Sequence, residues 1–224
     1  MKLSRILAVV ACLLAARAAM AAETALDLLD APVAYTAHFT VESPSGTFRG
    51  SVWHQPGRER RDWDTAGGGQ AVLLDRAADA AYLIKPAGRW YVAFGLHAAA
   101  ALAGGLDGLV VDRRRIGEQT VAGMRTTRYR VAATAANGGR FDGDAWFSRD
   151  GILVKAAGTL TSPGGKTSRV ATALTDVTVG HTDAAMLALP SGYFGMDLRS
   201  VQAAGLAQAV NGLKPLLEGR SAHQ

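Results

Sequence analysis

The chain has 224 residues, of which 49% are hydrophobic and 19% charged, and it contains one cysteine. This composition is typical of a globular domain and excludes a disordered, collagen-like or disulfide-stapled chain. Its net charge of +5 includes Lys2, Arg5 and Arg17, which lie in a segment that we expect to be removed. Taking these 3 from the 24 basic residues leaves 21 against 19 acidic ones, so the charge does not indicate nucleic-acid binding.

The first 21 residues have the three parts of a secretory signal peptide. Residues 1–5 carry two positive charges, residues 6–16 form an uninterrupted apolar run, and residues 19–21 are Ala-Met-Ala. The pattern predicts export to the periplasm with cleavage before Ala22. The apolar run is too short to span a membrane, so we expect no transmembrane span in the mature chain. Because Cys12 leaves with the signal, we expect a mature chain without disulfides or thiol chemistry.

From residue 33 onwards, apolar and polar residues alternate, which predicts β-strands joined by short turns in one domain, residues 22–198. Short turns make neighbouring strands antiparallel, so the alternatives are a curved sheet, a barrel or a sandwich, in an α+β, mainly β fold. The eleven expected strands are 33–41, 47–54, 60–65, 71–75, 80–85, 90–94, 115–119, 124–133, 140–148, 152–160 and 167–179.

Three stretches depart from this alternation and are expected to be helical. Residues 24–29 form a short helix that begins at the capping residue Thr24. Residues 95–111 are rich in Ala and Leu and form a helical insert with a break at two consecutive glycines. Residues 199–224 form a C-terminal amphipathic helix and tail, with apolar residues at helical spacing: Leu206, Val210, Leu213 and Leu217.

The motifs that would indicate catalysis or metal binding are incomplete. Residues 164–167 read Gly-Gly-Lys-Thr, but a phosphate-binding loop also needs a glycine where Leu160 stands and a helix afterwards. The paired carboxylates Asp62/Asp64 and Asp142/Asp144 lack the further oxygen ligands that calcium needs. The five histidines are scattered and no serine lies in a nucleophile elbow. We therefore expect a non-enzymatic protein without catalytic residues, cofactor or metal; a hydrolase triad assembled by the fold is the alternative.

Two arginine clusters precede or begin strands: Arg58, Arg60 and Arg61, and Arg113, Arg114 and Arg115. Solvated charge at the edge of the sheet is the first interpretation, since such charge prevents sheets from pairing edge to edge. The alternative is a contact with anionic lipid head groups or with an acidic partner. Export argues against a nucleic-acid partner.

Eight aromatic residues on the expected strands are the candidate ligand-binding residues. In a closed barrel they would fill the interior. In a sheet that curls without closing they would line an apolar concave face, which must be covered by helices or occupied by a ligand. They are Phe39, Phe48, Trp63, Tyr82, Trp90, Phe94, Tyr129 and Trp146.

Several motifs resemble exported bacterial proteins of the outer-membrane lipoprotein-carrier (LolA/LolB-like) superfamily, and within it an uncharacterised periplasmic group. The resemblance covers roughly residues 33–198 and is carried by turn and strand patterns: 55–58 (Gln-Pro-Gly-Arg), 74–76 (Leu-Asp-Arg), 82–86 (Tyr-Leu-Ile-Lys-Pro), Tyr91, 117–123 (Gly-Glu-Gln-Thr-Val-Ala-Gly), Thr126, Thr127, Tyr129, 145–147 (Ala-Trp-Phe), 150–151 (Asp-Gly), 189–193 (Leu-Pro-Ser-Gly-Tyr) and 196–197 (Met-Asp). It implies an eleven-stranded, incompletely closed antiparallel half-barrel, with helices in its mouth and an apolar cavity for acyl chains. It implies no catalytic residues.

These observations together predict a periplasmic binding or carrier protein for a lipid or other amphiphile, such as a lipoprotein acyl chain. The ligand would lie against the concave face, and the helices would move as a lid. The alternative is an envelope protein-interaction module that uses the same sheet as an inert scaffold and binds its partner through an edge or an arginine cluster.

Overall fold

The computed structural model describes residues 24–65, 68–102, 109–135, 138–162 and 164–201. The expected signal peptide and the apolar residues of the expected C-terminal helix lie outside these ranges. Within them, no helix is long and apolar enough to cross a membrane.

One open sheet of twelve strands makes up most of the described chain, which confirms the expected mainly β, incomplete barrel. Along the sheet the strands follow the order β12-β6-β5-β4-β3-β2-β1-β11-β10-β9-β8-β7. Their bounds are β1 Tyr35–Ser43, β2 Gly46–Gln55, β3 Arg58–Thr65, β4 Gly68–Asp75, β5 Ala80–Lys85, β6 Trp90–Gly95, β7 Val110–Val121, β8 Met124–Thr134, β9 Arg140–Ser148, β10 Leu153–Thr161, β11 Thr167–Val179 and β12 Phe194–Asp197.

The bounds and pairing of the helices and strands differ from the sequence prediction in three places. Strand β12 was not predicted, and it pairs with β6 in parallel, so the sheet is not antiparallel throughout. Its four residues are too few to show a period of two. Strand β7 begins at Val110, five residues earlier than the alternation predicted. Of the helical insert predicted at 95–111, the structure shows helix α2 at Leu96–Leu102, and residues 103–108 lie outside the described residues.

The predicted N-terminal helix is confirmed as α1, Ala25–Leu29. It begins with a capping box, in which the Thr24 hydroxyl accepts from the backbone N–H of Asp27 at 3.1 Å and the Asp27 carboxylate accepts from the backbone N–H of Thr24 at 3.2 Å. Leu28 packs on the hydrophobic cluster formed by β8 and β9. Helix α1 therefore covers one face of the sheet.

The sheet buries apolar residues on both faces in the half that contains β3 to β6. The face that lies beneath α1 is here called the concave face. Every second side chain along each strand lies on this face. The opposite, outer face is covered by residues 181–193, in which Leu187 is 2% exposed and packs with Leu73 and Ile84. This covering segment was not predicted, since it contains neither a strand nor a helical period.

Two glycines allow close packing at the centre of the β9–β10 pair. Gly143 and Gly158 are direct partners, and a Cβ on Gly143 would lie 2.4 Å from the Ala157 carbonyl oxygen. We therefore expect Gly143→Ala to lower the free energy of unfolding by about 1–3 kcal/mol through overpacking. Gly117→Ala is the matched control, since no atom lies within 4 Å of a Cβ there. Equal urea-unfolding midpoints for the two variants would contradict this reading of the glycine pair.

Candidate functional site

Two apolar cavities adjoin on the concave face, and together they are here called the apolar trough. The first, about 360 Å³, lies beneath α1, and the second, about 390 Å³, lies over β1 to β4. Val41 lines both cavities, so they meet at strand β1. The first is lined by Ala25, Leu28, Leu29, Val41, Leu109, Val111, Val131, Ala133, Phe141, Ala145, Phe147, Leu153, Ala156, Leu160, Val170, Ala171 and Thr172. The second is lined by Phe39, Val41, Phe48, Arg61, Trp63 and Val72.

Small residues create the space in the first cavity. On β9 and β10, Ala145 pairs with Ala156, and both line this cavity. Their short side chains leave room between the sheet and α1, and larger side chains, among them Phe147, line the cavity around them. Longer side chains at these positions would fill the space between the sheet and α1. The small residues therefore leave the first cavity open.

A buried polar network borders the second cavity. Glu59 Oε1 accepts from Arg61 Nε at 2.7 Å, and Glu59 Oε2 accepts from the Tyr35 hydroxyl at 3.3 Å. The His54 ring is 1% exposed, and its Nε2 lies 2.9 Å from the Ala31 carbonyl oxygen. Its Nδ1 lies 3.3 Å from Glu59 Oε2, which is ion-pair distance without hydrogen-bond alignment. The network therefore joins β1, β2 and β3 through one carboxylate.

The charges in this network shift its ionisation equilibria. Burial opposes ionisation of Glu59, but Arg61 and His54 outweigh it and lower the pKa of Glu59 to about 2. Burial and then the negative charge of Glu59 raise the pKa of Tyr35 far above its ordinary value. Glu59 is therefore an ionised carboxylate at neutral pH, and Tyr35 is its neutral hydrogen-bond donor.

The geometry of the network gives it a structural role. Both His54 ring nitrogens face protein oxygen atoms, and the ring stacks on Tyr35 with centroids 4.8 Å apart. A ring enclosed in this way cannot reach a substrate. The Arg61 guanidinium carbon lies 5.4 Å from the centroid of the Phe39 ring, so this cation borders the cavity already paired with Glu59.

Six of the eight aromatic candidates stand on the concave face. Phe39, Phe48 and Trp63 line the second cavity. Val72, which lines the second cavity, is the partner of Leu83 on β5. Strand β6 pairs with β5 so that Trp90 and Phe94 lie on the same face as Leu83. Tyr129 is the partner of Ala145, which lines the first cavity. These positions place the six residues on the predicted face, and their contact with a ligand stays a prediction.

Tyr82 and Trp146 stand on the outer face instead. Tyr82 is the partner of Leu73 and packs edge-on against Tyr91 beneath residues 181–193. The Trp146 ring lies between Arg128 and Lys155, and its Nε1 donates to Gln119 Oε1 at 2.9 Å. In a strand, a shift of one residue moves a side chain to the opposite face. We therefore leave these two residues out of the proposed site.

The arginines of the first cluster are not edge charges. Strand β3 lies inside the sheet, and its arginines pair with carboxylates: Arg58 with Asp75, Arg60 with Asp62 and Arg61 with Glu59. The second cluster lies on β7, which is an edge strand of the sheet, as expected for solvated edge charge. Within this cluster, Arg115 pairs with Glu118 at 3.0 Å.

Two of the four carboxylates considered for calcium have basic partners as well. Asp62 pairs with Arg60, and Asp144 pairs with Arg128 at 2.6 Å and with Arg130 at 3.2 Å. Across the described ranges, no group of three or more His, Cys, Asp or Glu side chains is arranged to hold a metal ion.

The main lining residues that the sequence analysis missed are aliphatic. Three of them lie in predicted strands: Val41, Val131 and Ala145. The period of two assigns each of these residues to one of the two faces of its strand, but it does not show which face is concave. His54 and Glu59 were missed because neither belongs to a motif. Their contact arises from the β2–β3 register, in which they are direct partners.

No family model matches the sequence, and no curated protein matches it. Among solved structures, an uncharacterised conserved protein from Thermus thermophilus is 11% identical, with a TM-score of 0.50 over 77% of this chain and 96% of that one. MucB is 19% identical, with a TM-score of 0.48 over 75% of this chain and 61% of that one. A LolA superfamily protein from Nitrosomonas europaea is 11% identical, with a TM-score of 0.40 over 74% of this chain and 98% of that one.

These likenesses concern the fold alone, and this chain spans about three fifths of the length of MucB. The observed architecture is an open sheet whose concave face is covered by short helices. This is the half-barrel that the sequence resemblance implied, with twelve strands in place of eleven. The fold of this chain is therefore similar to that of the uncharacterised Thermus thermophilus protein.

Proposed function

We propose that the mature protein is a non-catalytic periplasmic binding or carrier protein for a lipid or other amphiphile, which lies in the apolar trough. The observation that carries this proposal is the pair of apolar cavities, about 360 Å³ and 390 Å³, that adjoin at Val41. Each has the size of a small-molecule binding site, for which roughly 300–1,000 Å³ is typical. The signal-peptide pattern of residues 1–21 supports the periplasmic assignment.

The lining of the trough favours an alkyl chain over a polar ligand. Thr172 is the one polar residue among those that line the first cavity in the described part of the chain. Burying a methylene group contributes about 0.8 kcal/mol, so a long acyl chain gains several kcal/mol from contact with such a surface.

Helix α1 acts as a fixed cover in this proposal. Its first backbone N–H, at Ala25, donates to the Leu109 carbonyl oxygen at 3.1 Å, and Arg76 donates to the Leu26 carbonyl oxygen. Beyond the end of the helix, Arg76 Nε lies 3.0 Å from Asp30 Oδ2. These contacts hold the helix at both ends. The ligand would therefore enter the apolar trough beside α1, without displacement of the helix.

Tryptophan fluorescence tests the proposal, because Trp63 and Trp53 stand on adjacent strands but opposite faces. We expect a brominated fatty acid to quench the emission of the wild-type protein through contact with Trp63. Trp63→Phe should lose most of this quenching, and Trp53→Phe, the matched control, should retain it. Saturable quenching that is equal in both variants would contradict the proposed location of the ligand in the apolar trough. Absence of quenching in folded wild-type protein would contradict lipid binding.

The protein-interaction module is the second candidate, and strand β7 is the observation that favours it. Strand β7 ends the sheet and exposes two apolar residues, Val110 at 50% and Ile116 at 47%. An exposed sheet edge pairs readily with an extended segment of another protein. Absence of lipid binding, together with capture of a specific partner by wild-type protein but not by an Ile116→Lys variant, would favour this function.

A further inference from the structure

A lysine is buried on the concave face, and no described residue forms an ion pair with it. Lys85, the last residue of β5, is 4% exposed. Its ammonium nitrogen has no hydrogen-bond partner among the residues that the structure describes. An ammonium group has three donors and no acceptor, and its burial without a partner costs free energy. Such a group is expected to have an anionic partner in the functional state.

The sheet register places Lys85 beside the apolar trough. Its direct partner is Trp90 on β6, and Leu83, two residues before it on the same face, is the partner of Val72, which lines the second cavity. Trp63, also in that cavity, stands on β3, two strands from β5. At about 4.8 Å between neighbouring strands, Lys85 and Trp63 are on the order of 10 Å apart across the sheet.

Arg61 differs from Lys85 because it forms an ion pair with a carboxylate. Arg61 borders the same cavity, but its guanidinium is 2.7 Å from the carboxylate of Glu59. Its charge is therefore compensated within the protein. Lys85 is the cation beside the second cavity for which the described residues provide no such compensation.

We propose that Lys85 binds the anionic head group, a carboxylate or a phosphate, of the amphiphile whose alkyl chain occupies the apolar trough. This inference rests on the proposed function and adds the class of head group to it. The chain would run from Lys85 past Trp63 towards Phe39 and Val41. That path crosses from β5 to β1, on the order of 19 Å at the usual spacing of strands, which suits a long acyl chain.

Three ligands of equal chain length test this inference: palmitate, hexadecyl phosphate and hexadecanol, each delivered from cyclodextrin. We expect wild-type protein to bind the two anionic ligands at least about tenfold more tightly than the alcohol, because only the anions neutralise the buried charge of Lys85 when they accept its hydrogen bond. Lys85→Met should remove this preference by weakening the two anionic ligands far more than hexadecanol, and Lys85→Arg should retain it. Lys155→Met is the control, since Lys155 lies over Trp146 on the outer face.

The outcomes separate the two proposals. If hexadecanol binds but the wild-type protein shows no preference for the anionic ligands, the role of Lys85 is wrong and amphiphile binding stands. The role of Lys85 is also wrong if Lys85→Met weakens all three ligands equally, or if inorganic phosphate alone displaces hexadecyl phosphate at equal concentration. If none of the three binds folded protein, the proposed function fails as well. Because the preference is measured first in the wild type, the test does not depend on the folding of Lys85→Met.

Discussion

Replacement of Glu59 with Gln is expected to lower the free energy of unfolding by about 3 kcal/mol, the lower end of the range for breaking a buried ion pair. Glu59 is 8% exposed and is the shared acceptor of Arg61 and Tyr35. An amide in its place leaves the Arg61 cation without the carboxylate that is its counter-charge. The value lies at the lower end because the Arg61 side chain is 27% exposed. Urea unfolding measures it.

A matched control for Glu59→Gln is Glu118→Gln. The ion pair between Arg115 and Glu118 is exposed on both sides, so its loss should change the free energy of unfolding by less than about 1 kcal/mol. Equal effects of the two substitutions would show that the network around Glu59 does not stabilise the fold as described.

The same carboxylate predicts how stability depends on pH. The pKa of Glu59 is lowered from 4.5 to about 2 in the folded protein, so between these values the unfolded chain binds more protons at this position. Its contribution is therefore complete above about pH 4.5 and is lost as the pH falls towards 2. The fall in the free energy of unfolding over this interval should be smaller in Glu59→Gln than in the wild type. Identical pH profiles would contradict the lowered pKa.

Introducing a charge where the two cavities meet should abolish binding. We expect Val41→Asp to raise the dissociation constant for palmitate about 100-fold, since an alkyl chain against an unpaired carboxylate loses about 3 kcal/mol. Thr40→Asp is the matched control, because Thr40 is the preceding residue of β1 and its side chain points to the opposite face. Titration calorimetry compares the two variants. Equal weakening by both would show that the ligand does not lie in the apolar trough.

Alternation of apolar and polar residues was sufficient to predict most of the sheet. All eleven expected strands are present, because most are long enough to show a period of two and are bounded by glycine or proline turns. Strand β12, Phe194–Asp197, has only four residues and pairs with a strand about one hundred positions earlier. A parallel contact of that sequence separation leaves no local pattern in the chain.

The candidate site was less predictable than the fold, because residue type alone does not say which face of a strand becomes concave. Strand β5 shows the difficulty, since Ile84 is buried beneath residues 181–193 on one face and Lys85 is buried on the other. A strand covered on both faces loses the alternation that would assign its residues. Tyr82, on the same strand, was for this reason assigned to the wrong face.

The contacts among the polar residues could not be read from the sequence either. His54 and Glu59 meet through a hairpin register, and Lys85 is identified by its burial without a hydrogen-bond partner in the described ranges. Both features depend on the packed structure. Sequence reasoning thus recovered the general expectation of a covered apolar face, and the structure supplied the cavities and the charges beside them.

The most direct test of amphiphile binding is mass spectrometry of an organic extract. The protein is purified from the periplasm with its own signal sequence, in parallel with Val41→Asp and with an unrelated periplasmic protein. We expect a near-stoichiometric lipid in the wild-type extract that is absent from both other extracts. Its head group should carry a carboxylate or a phosphate if Lys85 acts as proposed. A wild-type extract without lipid, from protein shown to be folded, would contradict the central claim that the apolar trough binds an amphiphile.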